Sequence, residues 1–193
     1  MHFLSLLVSV FALPATALQQ ASKRDLDAPP NTMATRIVEL WNVGWQGPAQ
    51  EYGLRPGFSG TNNHSFAEVL IASGAPRGNG TWIQKEVSRS ENTYTFVNAY
   101  TMAPLVRYDG DDEHKDYLFT IKDEKPTIFQ TKTFPNGSSL ITTASNKSLC
   151  MTGIYDGSSM EFGEVALRTA EGIQNQLWEI KPAAHRAPTA EII

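Results

Sequence analysis

A threefold repeat is the feature of this sequence that most constrains how the chain folds. Trp82, Phe129 and Trp178 follow one another at intervals of 47 and 49 residues, each in a short apolar segment. The segments around them are rich in Val, Ile, Thr, Phe and Tyr and are separated by Gly, Asn, Asp and Pro. This composition is typical of β-strands joined by turns. A steady period of this length indicates an array of supersecondary units that share one hydrophobic core.

Twelve such segments are present, and they fall into three groups of four. The predicted strands are Arg36–Asn42, Glu51–Arg55, Ala67–Ala72, Thr81–Val87, Thr93–Ala99, Ala103–Tyr108, Asp116–Lys122, Thr127–Thr133, Ser139–Ala144, Lys147–Thr152, Gly163–Thr169 and Gln176–Lys181. Four short strands cannot bury their own apolar face, so three units must close around an axis and cover one another's edges. A propeller of four-stranded blades needs more copies. The sequence therefore predicts an all-β domain with pseudo-threefold symmetry, in which Trp82, Phe129 and Trp178 are buried at equivalent positions.

Composition limits the functions that such a domain can have. The 193 residues suffice for one ordinary domain, and a hydrophobic content of 41% is enough for a packed core. The chain is acidic, with 16 Lys and Arg against 20 Asp and Glu. This balance argues against nucleic acid as a partner, because such binding needs a basic surface. The single cysteine excludes an internal disulfide framework and a cysteine-rich zinc site.

The sequence contains no pattern that predicts a metal site, a cofactor or a catalytic centre. The four histidines lack the spacing of metal ligands. The acidic segment Asp109–Asp116 differs from a calcium loop, which needs glycine at the position of His114. The segment Gly57–Thr61 falls one glycine short of a nucleophile elbow. We therefore expect a binding protein and not an enzyme.

The N-terminal region has the features of an export signal. Phe3–Leu13 is an apolar run of 11 residues, followed by Pro14 and the small residues Ala15-Thr16-Ala17, as in a secretory signal peptide. The run is too short to span a bilayer of roughly 30 Å, so we expect no membrane span. The pair Lys23-Arg24 resembles the kexin-type processing site of fungal secreted precursors. The predicted boundaries are a signal peptide over 1–17, a pro-segment over 18–24, a flexible leader over 25–35, the repeat domain over 36–182 and a flexible tail over 183–193.

Four sequons for N-glycosylation agree with export. They begin at Asn63, Asn79, Asn136 and Asn146. We expect a secreted, extracellular glycoprotein. Cys150 would then be an unpaired thiol in an oxidising compartment, and its apolar sequence neighbours predict that it is buried and not reactive.

The last repeat carries motifs of a known family. It reads Ser148-Leu149-Cys150-Met151, then Glu164-Val165-Ala166-Leu167-Arg168, and then Gln176-Leu177-Trp178. This order resembles the ricin-B-type β-trefoil lectins, in which a K-x-L strand precedes a variable loop, a V-x-L strand and a Gln-x-Trp signature. The first two repeats lack the glutamine before their aromatic residue. The resemblance implies a β-trefoil of twelve strands in three four-stranded repeats and a function as a lectin.

The resemblance also implies where sugar would bind. Family sites use an aspartate after the second strand of a repeat, an aromatic residue near the third strand, and an Asn or Gln before the fourth. A carboxylate accepts hydrogen bonds from two vicinal hydroxyls, and a ring packs on the apolar face of a pyranose. The second repeat matches best, with Asp109 between Tyr108 and the flexible Gly110, Tyr117 near the third strand, and Asp111 as a further acceptor.

The third repeat is a weaker candidate, and the first repeat offers no carboxylate. In the third repeat Thr152 stands where the family has its aspartate. Tyr155 and Asp156 in the following loop, with Asn175 nearby, are the residues that would replace it. The resemblance therefore implies one or two sugar sites per chain.

Two functions remain open from the sequence, together with a third reading in which the secreted protein binds no small ligand. The first is a lectin that binds glycans or glycoproteins. The alternative is a β-trefoil protease inhibitor that acts on a protease through the loops Gly53–Ser65 and Asp109–Asp116, because function in this fold lies in its loops. Trp41 fits an inward position on the first strand. Trp45 falls in the loop that follows, where exposure would make it a platform for a ligand.

Overall fold

The computed structural model describes residues 33–55, 66–72, 80–110, 115–155 and 162–183. The predicted signal peptide and pro-segment lie outside these ranges, as do most of the leader and of the tail. Of the three aspartates predicted to bind sugar, Asp109 lies inside these ranges, and Asp111 and Asp156 lie outside them. The same holds for the sequons at Asn63 and Asn79. These assignments stay predictions.

Twelve strands lie in the described residues, as predicted. They are β1 Thr35–Asn42, β2 Gly47–Arg55, β3 Phe66–Ala72, β4 Thr81–Ser88, β5 Thr93–Asn98, β6 Leu105–Arg107, β7 Leu118–Ile121, β8 Phe129–Thr133, β9 Ser139–Thr143, β10 Leu149–Ile154, β11 Phe162–Thr169 and β12 Leu177–Pro182. Strand β6 is shorter than predicted, because Pro104 has no N–H to donate and forms only an isolated bridge with Val97. The 3-10 turn Gln174–Gln176 precedes β12. Nothing helical in the described ranges is long and apolar enough to cross a bilayer.

Six of the strands form a closed barrel. Strand β1 pairs with β4, β4 with β5, β5 with β8, β8 with β9, β9 with β12, and β12 with β1, always antiparallel. Each repeat thus contributes its first and fourth strands. The ring explains why a single four-stranded unit is not enough, since every barrel strand has a neighbour on both sides only when all three repeats are present.

The other six strands form three hairpins, β2–β3, β6–β7 and β10–β11. Strand β3 pairs with both β7 and β11, and a bridge between Tyr117 and Ala166 connects β7 to β11. The three hairpins therefore contact one another around a common axis. A six-stranded barrel with a triangle of hairpins is the β-trefoil, so the predicted fold class is confirmed.

Backbone hydrogen bonds repeat the threefold symmetry in detail. The residue after each first strand donates its N–H to the carbonyl oxygen of the residue just before the buried aromatic of a fourth strand. The bonds run from Val43 to Leu177, from Ala99 to Thr81 and from Ala144 to Ile128, each at 2.9 Å. These bonds hold the loop after each first strand in the same place in all three repeats.

The three repeated aromatic residues form the centre of the core. Trp82, Phe129 and Trp178 have no exposed surface, as predicted. Because a buried indole N–H needs an acceptor, the second strand of the same repeat supplies one. Trp82 Nε1 donates to the carbonyl oxygen of Ala49 at 2.9 Å, and Trp178 Nε1 donates to that of Met151 at 2.8 Å.

The glutamine of the Gln-x-Trp signature holds the loop between β11 and β12. Gln176 is buried, and its Oε1 accepts the backbone N–H groups of Glu171 at 2.8 Å and Gly172 at 2.9 Å. Its Nε2 donates to the carbonyl oxygen of Thr169 at 2.8 Å. One side chain therefore satisfies three backbone groups of a loop that has no sheet partners for them.

The prediction that Trp41 faces the core is wrong. Alternate residues of a strand face opposite sides, and in β1 the inward residues are Val38 and Leu40. Trp41 is partly buried on the outside. The Nζ of Lys181 lies 4.3 Å from the centroid of its ring, and its Nε1 donates to Glu39 Oε2 at 2.8 Å.

Candidate functional site

The three loops that follow the first strands are anchored in the same way. A side-chain oxygen on the last residue of the strand accepts the backbone N–H of the residue three positions later. The bonds join Trp45 to Asn42 Oδ1 at 3.0 Å, Thr101 to Asn98 Oδ1 at 3.1 Å and Asn146 to Thr143 Oγ1 at 3.2 Å. Trp45, Thr101 and Asn146 therefore occupy equivalent positions, and a different side chain stands there in each case.

In the third repeat, Trp45 fills the space beside the β10–β11 hairpin. A Cβ atom added to Gly153 would lie 2.8 Å from Cδ1 of Trp45, and one added to Gly163 would lie 2.8 Å from its Cε2. Only glycine leaves room for the indole at these two positions. Tyr155 stacks on the outer side, with ring centroids 6.1 Å apart and an interplanar angle of 27°. Trp45 is thus partly buried, and its ring packs against the chain itself instead of forming an open platform.

Asn175 belongs to the same enclosed region. Its Nδ2 donates to the backbone carbonyl oxygen of Gly153 at 3.0 Å, and its backbone carbonyl oxygen accepts from Asn42 Nδ2 at 2.8 Å. Its Oδ1 is buried and has no hydrogen-bond partner among the described residues. Of the third-repeat candidates, Tyr155 and Asn175 are therefore brought together around Trp45, and Tyr155 is 56% exposed.

Thr152, which stands at the position of the family aspartate, faces the interior. It is buried, and its Oγ1 donates to the carbonyl oxygen of Cys150 at 3.0 Å. Cys150 is also buried, as predicted, and burial raises the pKa of its thiol. A thiol with a raised pKa holds less of the reactive thiolate at neutral pH.

In the first repeat, Thr101 and Glu51 occupy the equivalent space. Thr101 Oγ1 donates to Glu51 Oε2 at 2.7 Å, and Glu51 is only 4% exposed. Burial raises the pKa of this carboxyl, and hydrogen bonds from Thr101 and Thr120 act in the opposite direction. Glu51 was not predicted as part of the site, since a glutamate in a predicted strand does not reveal whether its side chain is buried.

In the second repeat the equivalent space is open. A pocket of about 600 Å³ lies between the end of the β6–β7 hairpin, the segment that leads into β8 and the loop after β9. Its apolar lining includes Val106, Ile121 and Ile128. Its polar lining includes Asp109, Lys125 and Ser145. Ser145 directly precedes Asn146, so the pocket adjoins Asn146. Asn146 is the equivalent of Trp45, which fills the corresponding space in the third repeat.

Tyr108, Asp109 and Gly110 line this pocket together. The ring of Tyr108 packs so closely over Gly110 that a Cβ atom at that position would collide with it. The same ring makes an edge contact with Phe119, at a centroid distance of 5.4 Å. Asp109 is exposed, so its carboxylate is accessible to a ligand.

Arg107 and Thr127 fix the end of the hairpin that carries Asp109. Arg107 Nη2 forms an ion pair with Asp116 Oδ1 at 2.6 Å, across the hairpin. The backbone N–H of Arg107 donates to Thr127 Oγ1 at 2.7 Å, and the backbone N–H of Thr127 donates to the carbonyl oxygen of Leu105 at 3.0 Å. Thr127 replaces the signature glutamine of the third repeat. Neither residue was predicted as part of the site, although the opposite charges of Arg107 and Asp116 at the two ends of a predicted hairpin are a usable signal.

The ring of Tyr117 points away from the pocket. Its backbone carbonyl accepts the N–H of Tyr108 at 2.9 Å, which continues the hairpin. Its side chain instead contacts β11, with the Arg168 guanidinium 5.3 Å from the ring centroid. Burial raises the pKa of the Tyr117 hydroxyl, and the nearby Glu164 carboxylate raises it further. Tyr117 is therefore not among the residues that line the pocket with Asp109.

The two described sequons lie in exposed turns. Asn136 is in the β8–β9 turn, and Asn146 is in the loop between β9 and β10. Within the described ranges, no group of three or more His, Cys, Asp and Glu side chains is arranged to hold a metal ion. The proposed inhibitor loops Gly53–Ser65 and Asp109–Asp116 fall partly outside these ranges, so their conformation stays unassigned.

Comparisons with known proteins give a fold and no closer assignment. No protein-family model matches the sequence, and no curated protein matches it. Solved β-trefoil structures do match. The agglutinin of Rhizoctonia solani superposes with a TM-score of 0.59 at 10% identity, over 80% of this chain and 99% of that one.

Two further structures extend the comparison. The ricin B-like lectin of Macrolepiota procera, solved in complex with lactose, gives a TM-score of 0.56 at 13% identity, over 76% of this chain and 94% of that one. The designed threefold-symmetric protein ThreeFoil gives 0.58 at 11% identity, over 75% of this chain and 97% of that one. At identities this low, the superposition establishes a common fold and nothing more. The chain is therefore a β-trefoil protein, with the same fold as the ricin B-like lectins.

Proposed function

We propose that the protein is a secreted carbohydrate-binding protein and that it binds sugar in the pocket of the second repeat. One observation carries this proposal. Of three equivalent spaces, Trp45 fills one and the Thr101–Glu51 pair occupies another, while the third is a pocket of about 600 Å³. A ligand therefore has room in the second repeat.

The lining of the pocket suits a sugar. The exposed Asp109 carboxylate can accept hydrogen bonds from two vicinal hydroxyls. Val106, Ile121 and Ile128 offer apolar surface for the C–H face of a pyranose, and Ile128 is 41% exposed. Lys125 adds a donor. Sugar hydroxyls compete with water for such groups, so a single site of this kind should bind with a Kd on the order of millimolar to micromolar.

Export and the lack of catalysis are parts of the same proposal. The apolar run before Ala15-Thr16-Ala17 supports entry into the secretory route, and Lys23-Arg24 supports a second cleavage. Mass spectrometry of the secreted protein should find Asp25 at its N-terminus. An N-terminus that still includes Lys23-Arg24 would refute the pro-segment.

The binding test uses the secreted protein on a glycan array, followed by calorimetric titration with lactose and with the best array ligand. Lactose is the first probe because the solved Macrolepiota lectin holds it. Asp109→Ala should weaken binding about tenfold or more, since loss of a charged hydrogen-bond partner costs about 1.5–3 kcal/mol. Glu91→Ala is the matched control, because Glu91 is an exposed carboxylate in the β4–β5 turn.

Equal affinities of the wild-type protein and Asp109→Ala would refute the assignment of the pocket. A protein that binds no glycan on the array but inhibits a protease at nanomolar concentration would instead establish the inhibitor alternative.

A further inference from the structure

Asn146 lies beside the open pocket, and its side-chain amide is accessible for N-glycosylation. It is exposed, and Ser145, which precedes it, lines the pocket. Its Oδ1 accepts the backbone N–H of Ser148 at 3.1 Å and the Ser148 hydroxyl at 2.7 Å. Among the described residues, its Nδ2 makes no hydrogen bond. The amide nitrogen that would receive a glycan is therefore free.

The threefold symmetry indicates what a larger group at this position would reach. Trp45 and Thr101 occupy the equivalent positions, and each contacts the hairpin of another repeat, Trp45 at Gly153 and Gly163 and Thr101 at Glu51. Trp45 fills the third-repeat space, packed on Gly153 and Gly163. Asn146 has a short side chain, and the pocket next to it stays open.

We propose that an N-linked glycan on Asn146 covers the second-repeat pocket and thereby controls access to it. The carbohydrate fills the space beside the β6–β7 hairpin, as the indole of Trp45 fills the space beside the β10–β11 hairpin. Attachment forms a bond between Asn146 Nδ2 and the anomeric carbon of N-acetylglucosamine. The amide gives up one proton, and the lipid diphosphate of the oligosaccharide donor leaves. Control of sugar binding rests on the function proposed above, whereas coverage of the pocket does not.

Asn136 provides a matched control. It is exposed and also begins an Asn-x-Ser sequon. Its Oδ1 accepts the backbone N–H of Ser138 at 3.1 Å and the Ser138 hydroxyl at 2.8 Å, almost the same geometry as at Asn146. The turn that carries Asn136 does not line the pocket. A glycan on Asn136 should therefore leave the pocket accessible.

The first experiment measures coverage without any sugar ligand. The wild-type protein, Asn146→Gln and Asn136→Gln are secreted from a eukaryotic host, and peptide mass spectrometry determines which sequons are occupied. Each protein is then acetylated with a water-soluble N-hydroxysuccinimide ester. The rate at Lys125, which lines the pocket, is divided by the rate at Lys85, an exposed residue of β4.

Asn146→Gln should raise this ratio at least threefold, and Asn136→Gln should leave it unchanged. Removal of the glycans from the folded wild-type protein with an endoglycosidase should give the same rise as Asn146→Gln. Equal ratios in all three proteins, or a secreted protein without a glycan on Asn146, would overturn the inference. Thermal unfolding of each variant verifies that the fold is intact.

Lactose titration of the same proteins separates this inference from the proposed function. If both hold, Asn146→Gln binds lactose or the best array ligand about tenfold more tightly than the wild-type protein, and Asn136→Gln does not. A rise in Lys125 labelling without binding of any glycan refutes the lectin function and supports the coverage. Glycan binding with unchanged Lys125 labelling supports the lectin and refutes the coverage.

Discussion

Replacement of Trp45 by alanine tests whether this side chain is a structural element of the third repeat. The indole packs on Gly153 and Gly163 and stacks with Tyr155, so its removal leaves a space that no other side chain fills. A fully buried Trp→Ala change costs about 3–5 kcal/mol. Trp45 is only partly buried, which reduces the expected loss to about 2 kcal/mol. For a domain of this size that corresponds to a fall in Tm of about 4–8 °C.

The control is Trp41→Ala. Trp41 lies on the outside of β1 against the Lys181 ammonium, a contact worth about 0.5–1 kcal/mol at an exposed position. Both variants lose one tryptophan, so unfolding is followed by far-ultraviolet circular dichroism and not by fluorescence. A double-mutant cycle of Trp45→Ala with Tyr155→Ala should give a coupling of about 0.5–1.5 kcal/mol for the stacked pair. Equal losses in Trp45→Ala and Trp41→Ala, together with no coupling to Tyr155, would refute the assignment.

Two further predictions concern buried polar side chains. Glu51→Gln should stabilise the protein at pH 7 and much less at pH 4. The folded state raises the pKa of Glu51, so this group's contribution to stability is greatest below its ordinary pKa and is lost as the pH rises through the folded value. Urea unfolding at both pH values measures the gain in stability, with Glu91→Gln as the exposed control. A gain that is the same at pH 7 and pH 4 would contradict the prediction. Gln176→Ala should lower stability by about 2–4 kcal/mol, because three backbone groups of the β11–β12 loop lose their partner. Unchanged hydrogen exchange at the N–H groups of Glu171 and Gly172 would disprove that role.

The fold was predictable because its main determinant is periodic. Strand segments alternate with turn residues, and the interval between the buried aromatic residues limits the number of repeats to three. The errors arose where two neighbours in sequence face opposite sides. Trp41 was expected in the core, but Leu40 is the inward residue, and a one-residue change in register moves a side chain across the sheet.

The site was predictable only in part, because its shape depends on contacts between distant segments. Asp109 and Tyr108 adjoin each other in sequence, and both line the pocket. Tyr117 pairs with Tyr108 through the backbone, yet its ring turns to Arg168 on another hairpin. The role of Trp45 likewise requires Gly153 and Gly163, more than a hundred positions away in the chain, and no local pattern connects these residues.

The three repeats differ most at positions that the closed barrel does not need. All three repeats keep the buried aromatic and the backbone bonds after the first strand, because the loss of either would open the ring that the others share. The third residue after each first strand uses only its backbone N–H to hold the loop, so its side chain can vary. It is Trp45, Thr101 or Asn146. The indole of Trp45 packs on the hairpin of another repeat and closes the space there, whereas the space beside Asn146 stays open. A side chain that adds apolar burial at this position thus removes a potential binding site, and among the described residues a pocket lies beside Asn146, where neither an indole nor a buried carboxylate forms the lining.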